Sequence, residues 1–515
     1  MTESALNNTS ISFVETPDEI VKLMVSLISE TKLNDLVLDS GCGKGVFLNH
    51  LKENNFRNLE GIELDHSLFS TCKDKFPEIS LYNTDFLDWE PSREYDVIIG
   101  NPPYMHYNSL PEEMRKKVEY IVKSKESDIY YAFILKAIDI LKENGELVYI
   151  VPYGFFYNTF AKIVREKIIS SGYIEVIIDL DEVRLFEGEN PETIIFKFIK
   201  QKPRKNQKTR VLRLLKKNAS PKNIHISAQE SISSRKRNVL FEYIEKPIFS
   251  SSDEIWSSYP EIEIPMHVKL SEIAWVGVGM VTGFEKAFLI TEEEDMLAYS
   301  DTEHQGIITA IKAKHCKGYW TEGYSKYILI DYLVESEEQL KKKFPSFYRK
   351  MLPFKNSMKN RYLPQSKNWY NWQALRNFED YNGFISKTKI LVPNLDRSKT
   401  NRFSISSEEI YPSGDVLTII PAENNVFFLL GYLNSDFFRE YYLSAGARRG
   451  HRVAYTQRIL SNIRIPTFTK DIKNKISTLA KTITEERDTS ARNKIDRIIR
   501  DAFHEKLFEK WVTRK

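Results

Sequence analysis

A short apolar strand, a glycine-rich turn and a helix follow one another near the start of the chain, and this stretch restricts the fold more than any other. The strand is Leu36-Val37-Leu38-Asp39, Gly41, Gly43 and Gly45 form the turn, and helical spacing runs from Val46 to about Asn54. Glycine lets the backbone turn sharply and approach a ligand closely. Strand and helix signals continue to alternate up to residue 199. The pattern predicts an α/β, Rossmann-like, doubly wound domain of seven strands.

The predicted fourth strand, Tyr95 to Gly100, ends at Asn101-Pro102-Pro103-Tyr104. Open α/β sheets bind ligands at the carboxyl ends of their strands. The Asn101 side-chain oxygen and the Pro102 carbonyl can accept hydrogen bonds from a planar amino group, and Tyr104 can stack on its flat face. These contacts strengthen as positive charge develops on the nitrogen. We therefore predict that Asn101, Pro102 and Tyr104 are catalytic and act on adenine, cytosine or glutamine; the alternative is an ordinary proline turn.

Side chains near the other strand ends indicate the cofactor. Glu63 follows the glycine turn by about 20 residues, the usual position of a ribose-binding acid. Asp39 would repel a pyrophosphate but can receive an ammonium group, and Asp85 and Phe86 suit the edge and face of an adenine. Because the turn is also shorter than a dinucleotide fingerprint, these residues favour S-adenosylmethionine over a nicotinamide cofactor. Methyl transfer from a sulfonium needs alignment and no metal, so none is predicted.

Composition sets broader limits. A chain of 515 residues should hold two or three domains, and a net charge of only +3 means that local patches must bind any anionic partner. Cys42, Cys72 and Cys316 lie far apart without metal-ligand spacing, as expected in a reducing cytosol. No signal peptide opens the chain, and no apolar run approaches the roughly 20 residues of a membrane helix. We therefore expect a cytoplasmic protein.

In their order along the chain, these motifs resemble those of γ-class N6-adenine DNA methyltransferases of restriction-modification systems, of the Taq type. Thr16-Pro17 resembles the amino-terminal cofactor motif of that family, and Lys44 departs from its usual small hydroxyl residue. The resemblance implies a cofactor-binding set of Thr16, Asp39, Gly41, Gly43, Glu63, Leu64, Asp85, Phe86, Asn101 and Phe133.

The resemblance also implies a DNA substrate. The target adenine would be flipped out of the duplex and would lie between Tyr104 and Phe186. Residues 1–245 would form the catalytic domain, residues 246–466 a target-recognition domain, and residues 467–515 a helical segment packed on or extending it. Basic residues of the carboxyl-terminal half are either DNA contacts or solvated surface, and the candidates are Arg397, Lys399, Arg402, Arg448, Arg449 and Arg452.

The expected partner is double-stranded DNA, which would associate the protein with the bacterial nucleoid. Only about a dozen residues precede the first helix, so we expect a separate restriction endonuclease and a monomeric methyltransferase. Glutamine N5-methyltransferases of release factors and RNA adenine methyltransferases are alternatives with the same amino-group chemistry, and a non-enzymatic DNA-binding subunit is a third. The basic run at 202–217 is predicted to be a solvated hairpin, a linker or a nucleic-acid contact.

Overall fold

A computed structural model describes residues 14–125, 127–186, 192–216, 218–253, 255–291, 299–422, 425–449 and 452–509. The chain forms two compact units, Met1–Glu261 and Ile262–Lys515. The boundary lies beyond the predicted position at residue 245. The reason is that strand Phe241–Pro247 completes the sheet of the first unit, and Trp256 is buried in the same core.

The first unit alternates strands and helices, and this confirms the predicted α/β class. Its strands are β1 (Leu36–Asp39), β2 (Asn58–Glu63), β3 (Ser80–Asn83), β4 (Tyr95–Gly100), β5 (Leu141–Pro152), β6 (Tyr173–Asp179), β7 (Thr193–Ile199), β8 (Lys208–Leu214) and β9 (Phe241–Pro247). Its helices are α1 (Asp18–Val25), α2 (Val46–Glu53), α3 (His66–Lys75), α4 (Glu112–Val122), α5 (Ile129–Ile140), α6 (Lys162–Ser171) and α7 (Pro221–Ser234).

All nine strands belong to one sheet, in the order β3-β2-β1-β4-β5-β7-β6-β8-β9. Neighbouring strands from β3 to β5 are parallel, whereas β7 is antiparallel to both β5 and β6. The chain moves outward from β1 to β3 and then returns to the other side of β1 with β4. A crevice therefore opens at the carboxyl ends of β1 and β4, where doubly wound sheets bind their ligands.

Both faces of this sheet are covered. In β4, Val97 and Ile99 belong to one hydrophobic core and Ile98 to the other, and the same alternation separates Val148 from Tyr149 in β5. Each of these side chains is fully buried. Because successive residues of a strand point to opposite faces, burial on both sides explains why these strands are continuous apolar runs in the sequence.

Part of the basic run at 202–217 is neither a solvated hairpin nor a linker, and for residues 208–214 this corrects the prediction. Residues Lys208–Leu214 form β8, which together with β9 extends the predicted seven strands to nine. Acids on neighbouring strands pair with its cations: Arg213 with Glu242, and Arg210 with Glu175 at 3.2 Å. The charges thus stabilise the sheet edge.

The second unit is a mixed α+β structure with several small sheets. Its strands are β10 (His267–Lys269), β11 (Ala274–Val278), β12 (Leu289–Ile290), β13 (Ile307–Ile311), β14 (Cys316–Gly318), β15 (Trp320–Thr321), β16 (Ser325–Ile328), β17 (Lys389–Pro393), β18 (Leu395–Asp396), β19 (Ser404–Ser406), β20 (Tyr411–Pro412), β21 (Val416–Pro421), β22 (Ala447–Arg449), β23 (Arg452–Ala454) and β24 (Arg464–Pro466). The larger sheets have the orders β11-β21-β17-β19, β12-β16-β13-β20 and β18-β23-β22.

The helices of the second unit include the carboxyl-terminal pair. They are α8 (Leu270–Ile273), α9 (Glu285–Phe288), α10 (Asp301–His304), α11 (Glu337–Lys343), α12 (Pro345–Met351), α13 (Lys355–Lys359), α14 (Phe378–Phe384), α15 (Val426–Leu433), α16 (Asp436–Ala445), α17 (Gln457–Asn462), α18 (Lys470–Glu486) and α19 (Arg492–His504). Within the described residues, no helix combines the length and the apolar character needed to cross a membrane.

The carboxyl-terminal helices pack into the core of the second unit. A side chain at Gly431 in α15 would come within 2.7 Å of Ile476 in α18, and the Phe437 ring stacks on Phe503 of α19 at 4.5 Å. Trp372 in the middle of this unit is 1% exposed. Trp369 and Tyr370 beside it are also buried, so this aromatic stretch belongs to the core.

Candidate active site

Asn101 follows directly after β4, at the mouth of the crevice. Its side-chain nitrogen donates to the Thr16 hydroxyl at 3.1 Å. Its side-chain oxygen is buried and has no hydrogen-bond partner within the described part of the chain. A buried acceptor without a partner is costly, so this oxygen is suited to accept a hydrogen bond from a ligand.

Thr16 lies directly before α1 and is 3% exposed. Pro17 takes the capping position, and the Thr16 hydroxyl contacts Asn101 and does not cap the helix. This contact links the amino-terminal segment to the end of β4, two regions that are 85 residues apart. It also orients the Asn101 amide, because the hydroxyl accepts from the nitrogen and leaves the oxygen on the other side.

Tyr104 contacts two further rings. Its hydroxyl donates to the Ile150 carbonyl at 2.8 Å, and burial raises its pKa well above the usual range, so the phenol stays protonated. Phe186 and Tyr130 both lie 6.2 Å from the Tyr104 ring, centroid to centroid, with their planes at 73° and 76° to it. The structure brings Tyr104 and Phe186 together edge to face, whereas a base sandwiched between them would need two parallel rings.

Asp39 ends β1 and is fully buried. One carboxylate oxygen accepts from the Gly41 backbone N–H at 3.4 Å, and the other has no partner among the described residues. Burial raises the pKa of this carboxyl well above its usual range. A cation beside the Asp39 carboxylate would offset the free-energy cost of burying its charge, so Asp39 is suited to bind an ammonium group.

The glycine turn leaves room next to Asp39. A side chain at Gly41 would point into open space, whereas one at Gly45 would come within 2.6 Å of the Phe76 ring. Gly43 and Gly45 have φ values of +52° and +81°, a region that favours glycine. Gly45 is therefore required for packing, while the open space at Gly41 is available to a ligand.

Glu63 ends β2 beside this turn. Its carboxylate accepts from the backbone N–H groups of Gly43 and Asp65, both at 2.8 Å. Two fixed donors hold the carboxylate in one orientation at the crevice edge. The next residue, Leu64, is a half-exposed apolar side chain that can cover a flat ring.

Asp85, Phe86 and Phe133 form the far side of the crevice. The two phenylalanine rings lie 5.0 Å apart and both are buried. One Asp85 oxygen accepts from the Leu87 backbone N–H at 2.9 Å, and the other pairs with Lys117 of α4. Lys117 also bonds Asp88 at 2.7 Å.

Lys117 and Tyr130 are neighbours of the site that were not predicted from the sequence. Lys117 lies in a helix of interspersed acids and bases, which is also the pattern of any solvated helix. Tyr130 belongs to an apolar helix whose aromatic residues are typical of a core. No local signal distinguishes either residue from its neighbours.

The basic candidates of the second unit lie either on the strands of the sheet β18-β23-β22 or in the segment that follows β18. Asp396 pairs with Val453, and Arg448 pairs with the same residue from the other side. One basic segment therefore directly follows β18, and the other, about 50 residues further along the chain, forms β23, which adjoins β18, and β22 on its other side. Arg397 and Lys399 are exposed, and Arg452 is partly exposed. Arg448 and Arg449 lie in strand β22.

Arg402 differs from the other candidates. Its Nε donates to Asp396 at 3.0 Å, and a terminal nitrogen reaches the carbonyls of Cys316 and Ala313 at 3.3 and 3.4 Å. These contacts hold the Nε and one terminal nitrogen of the guanidinium against the protein. The surroundings of Arg402 do not support the prediction that it contacts DNA.

Comparison with known proteins identifies the chain. Residues 19–186 match the model of the Eco57I restriction-modification methylase family. The type II methyltransferase M.HindII of Haemophilus influenzae is 30% identical over 489 residues, which cover 87% of this chain and 88% of that protein. This chain belongs to the type II methyltransferases.

Two further similarities agree. The type II methyltransferase M.MjaIV of Methanocaldococcus jannaschii is 46% identical over 251 residues, or 48% of this chain and 84% of that protein. The type IIL restriction-modification enzyme MmeI, solved in complex with DNA, shares the fold with a TM-score of 0.63 at 11% identity, over 96% of this chain and 73% of that chain. The type II relatives and the Eco57I family match show that the protein is a DNA methyltransferase of a restriction-modification system, as predicted, and MmeI shows the shared fold.

S-adenosylmethionine is the cofactor of this methyltransferase, as predicted. The crevice fits its parts. Asp39 has an unpartnered buried oxygen for the ammonium group, Glu63 presents a fixed carboxylate for the ribose hydroxyls, and the space at Gly41 admits the chain between them. Leu64 and Phe86 are the apolar side chains that would lie nearest to the adenine.

Proposed function

We propose that this type II methyltransferase transfers a methyl group to N6 of an adenine that has been flipped out of duplex DNA. One observation carries the proposal. The Asn101 side-chain oxygen is buried, lacks a partner among the described residues and immediately follows β4. An acceptor held in this way is suited to an amino group that gains positive charge in the transition state.

The chemistry requires that the amino lone pair be localised on nitrogen. In adenine this pair is delocalised into the ring, so the nitrogen is a weak nucleophile. Asn101 and the Pro102 carbonyl would each accept one N–H and favour the tetrahedral, positively charged nitrogen. S-adenosylmethionine supplies the methyl group on a sulfonium, and the protein aligns the nitrogen with it.

Tyr104 and Phe186 would hold the flipped base. The Tyr104 phenol is fixed by its bond to Ile150, so its ring is the stable stacking surface. Phe186 meets Tyr104 at 73°. We propose that the adenine stacks flat on Tyr104, and that Phe186 either contacts the base edge or turns to complete a sandwich.

We assign cofactor binding to the crevice residues in the same way. Asp39 would bind the ammonium, Glu63 the ribose, and Asp85 the amino edge of the cofactor adenine. Thr16, Gly41, Gly43, Leu64, Phe86, Asn101 and Phe133 would complete the site. Lys117 would hold the Asp85 carboxylate in position from α4.

The first unit would be the catalytic domain and the second unit, with its carboxyl-terminal helices, the target-recognition domain. Support comes from the basic residues that adjoin in the sheet β18-β23-β22. We further propose a monomer that acts beside a separate endonuclease and associates with the nucleoid through DNA. The near full-length relative M.HindII, which is named as a methyltransferase alone, supports a separate endonuclease.

The test uses purified protein and S-adenosylmethionine labelled in its methyl group. Unmethylated plasmid, bulk RNA and a release factor are incubated in parallel, and nucleosides from the plasmid are separated after digestion. We expect label in N6-methyladenine of the plasmid only. Label in N4-methylcytosine, in RNA or in the release factor would overturn the assignment of adenine in DNA.

A further inference from the structure

The segment Arg397, Ser398, Lys399 and Thr400, here called the 397–400 loop, connects β18 to a buried stretch that begins at Asn401. Arg397, Lys399 and Thr400 are exposed, whereas Asp396 and Asn401 on either side are 0% and 2% exposed. The loop thus has solvated side chains and is flanked by two buried polar residues. The contacts of these two residues explain how it is held.

Asp396 binds both ends of the loop. Its carboxylate accepts from the backbone N–H groups of Ser398 at 3.0 Å and Arg402 at 3.2 Å, and from the Arg402 guanidinium at 3.0 Å. A buried charge is tolerated when it is paired and fully hydrogen-bonded, as it is here. The backbone on both sides of the loop is therefore fixed to one side chain.

Asn401, directly after the loop, and Arg439 of α16 also hold it. The Asn401 side-chain oxygen accepts from Arg439 at 2.9 Å and from the Tyr455 hydroxyl at 2.6 Å, and its nitrogen donates to the Leu433 carbonyl at 2.7 Å. Arg439 also donates to the Ser398 carbonyl at 2.7 Å. Both backbone groups of Ser398 are thereby bonded to buried or half-buried side chains.

The exposed side chains of the loop share one chemistry. Arg397, Lys399 and Thr400 are all hydrogen-bond donors, and neither cation forms an ion pair within the described residues. No Asp or Glu occurs at 397–407 or at 441–470, the segments that carry the loop and the β22–β23 hairpin beside it. The one acid next to the loop, Asp396, is buried and paired with Arg402, so the exposed donors suit the phosphate oxygens of a nucleic-acid backbone.

We propose that the 397–400 loop is a preformed clamp for the DNA phosphate backbone, and that Asp396, Asn401 and Arg439 are its positioning residues. Fixing the backbone in advance removes part of the ordering cost that flexible cations pay on binding. In this proposal Arg402 supports the loop through its ion pair with Asp396 and does not contact DNA. The proposal deepens the proposed function, on which it rests for the role of the second unit.

Binding to a labelled duplex of random sequence tests the proposal, because phosphate contacts do not depend on sequence. Replacing both cations, Arg397→Gln with Lys399→Gln, should raise Kd about 5- to 20-fold and lower the slope of log K against log salt by about 1.8. Asp396→Asn should raise Kd to a similar extent. Arg500→Gln, in an exposed ion pair on α19, is the matched control and should leave Kd unchanged.

A double-mutant cycle separates positioning from general stability. If Asp396 acts through the two cations, adding Asp396→Asn to the double glutamine variant should raise Kd no further. Additive effects, or an unchanged Kd for Asp396→Asn alone, would overturn the proposal. Tyr455→Phe removes only the hydroxyl bond to Asn401 and provides a milder positioning variant if Asp396→Asn does not fold; it should raise Kd about 2- to 3-fold, and no change would also count against the clamp.

The assay is independent of the methylated base. Should the plasmid experiment place the methyl group on cytosine, the clamp would still be tested by Kd and the salt slope. Conversely, N6-methyladenine formation with an unchanged Kd for the double glutamine variant would reject the clamp alone. At saturating DNA, the variants should keep the maximal transfer rate and raise only KM for DNA.

Discussion

Asn101 and Asp39 in the first unit and the 397–400 loop in the second unit use polar groups in opposite ways. The two active-site residues keep buried oxygens without partners among the described residues. In the loop, the buried groups are bonded, and the exposed cations are left for a partner. In the proposed roles, catalysis would use acceptors removed from water, whereas recognition of the DNA backbone would use solvated charges on a rigid support.

The same contrast appears in what each region requires of its neighbours. The crevice depends on strand ends whose register is fixed by a buried parallel sheet, with Asp39 opposite Ile99. The loop depends on side chains from several separate places in the chain, including Asp396 of β18, Arg439 of α16 and Tyr455 directly after β23. A substitution in the crevice should therefore affect one chemical step strongly. A substitution of an exposed cation in or beside the 397–400 loop should lower the affinity for DNA by only a small factor.

The largest effect is expected for Asn101→Ala. Loss of an acceptor that strengthens in the transition state should lower the rate of methyl transfer by about 10²- to 10³-fold. Cofactor affinity, measured by calorimetry, should fall far less than the transfer rate, because Asn101 is only one of several residues assigned to the cofactor site. Asn108→Ala replaces an exposed amide a few residues further on and serves as the control. A parallel loss of transfer and of cofactor binding would mean that Asn101 is structural.

Asp39→Asn should come next. Removing the charge that receives the ammonium should raise the Kd of S-adenosylmethionine about 10- to 100-fold. Transfer at saturating cofactor should fall much less. Equal affinity in the two proteins would contradict the role of Asp39 in cofactor binding.

The Asp39 carboxyl also predicts a pH dependence of stability without cofactor. Its raised pKa means that the native state binds this proton more tightly than the unfolded chain does. The free energy of unfolding should therefore fall as pH rises from about 4, the usual pKa of Asp, through the native pKa. In urea unfolding, Asp39→Asn should remove this fall and be the more stable protein at neutral pH.

Asp65 gives the opposite sign and is the control for that experiment. Hydrogen bonds from Ser67 and Leu68 at the start of α3 lower the pKa of the Asp65 carboxyl. Its contribution to stability is present above the unfolded pKa and is lost as pH falls. Asp65→Asn should thus weaken the protein at neutral pH and not strengthen it.

Phe186→Ala should have an intermediate effect. A ring that contacts the flipped base contributes about 1–3 kcal/mol, so transfer to a paired adenine should slow about 10-fold or more. A mismatched adenine is easier to flip and should restore part of the rate. Phe160→Ala, an exposed ring of the same unit, is the control. Equal losses on paired and mismatched targets would contradict a role in holding the base.

Lys117→Met should weaken cofactor binding about 3- to 5-fold. The Lys117 side chain is 20% exposed, and partly exposed ion pairs contribute at most about 1 kcal/mol. Lys116→Met changes the neighbouring, solvated lysine and should have no effect. Tighter cofactor binding by Lys117→Met would mean that this lysine competes with the cofactor for Asp85.

The smallest effect is expected for Arg452→Gln on β23. Loss of one phosphate contact should raise the Kd for duplex DNA about 2- to 3-fold and lower the salt slope by about 0.9. Cofactor affinity should not change. A change in Kd without any change in slope would assign Arg452 to base contact or to folding.

Much of the first unit could be predicted from the sequence. The strands from β1 to β7 and the crevice at β1 and β4 follow from apolar runs, glycine turns and their alternation. The ends of the sheet were not predicted. The basic residues of β8 alternate with buried ones, namely Thr209, Val211, Leu212 and Leu214, and acids on the neighbouring strands, Glu175 and Glu242, pair with its arginines. Tertiary contacts therefore decided that this basic segment forms a strand of the sheet, which its local composition did not indicate.

The sequence by itself determined which residues meet at the predicted site. They are the glycine turn, the acids Asp39 and Glu63, and the motif Asn101-Pro102-Pro103-Tyr104. In a parallel sheet the carboxyl ends of strands meet at one edge, so residues that follow strands in sequence meet in space. Only the tertiary structure decided that Tyr104 and Phe186 meet edge to face, that Lys117 pairs with Asp85, and that Arg402 points inward. Each of these depends on contacts between distant segments, whose geometry is set by packing and not by the local sequence.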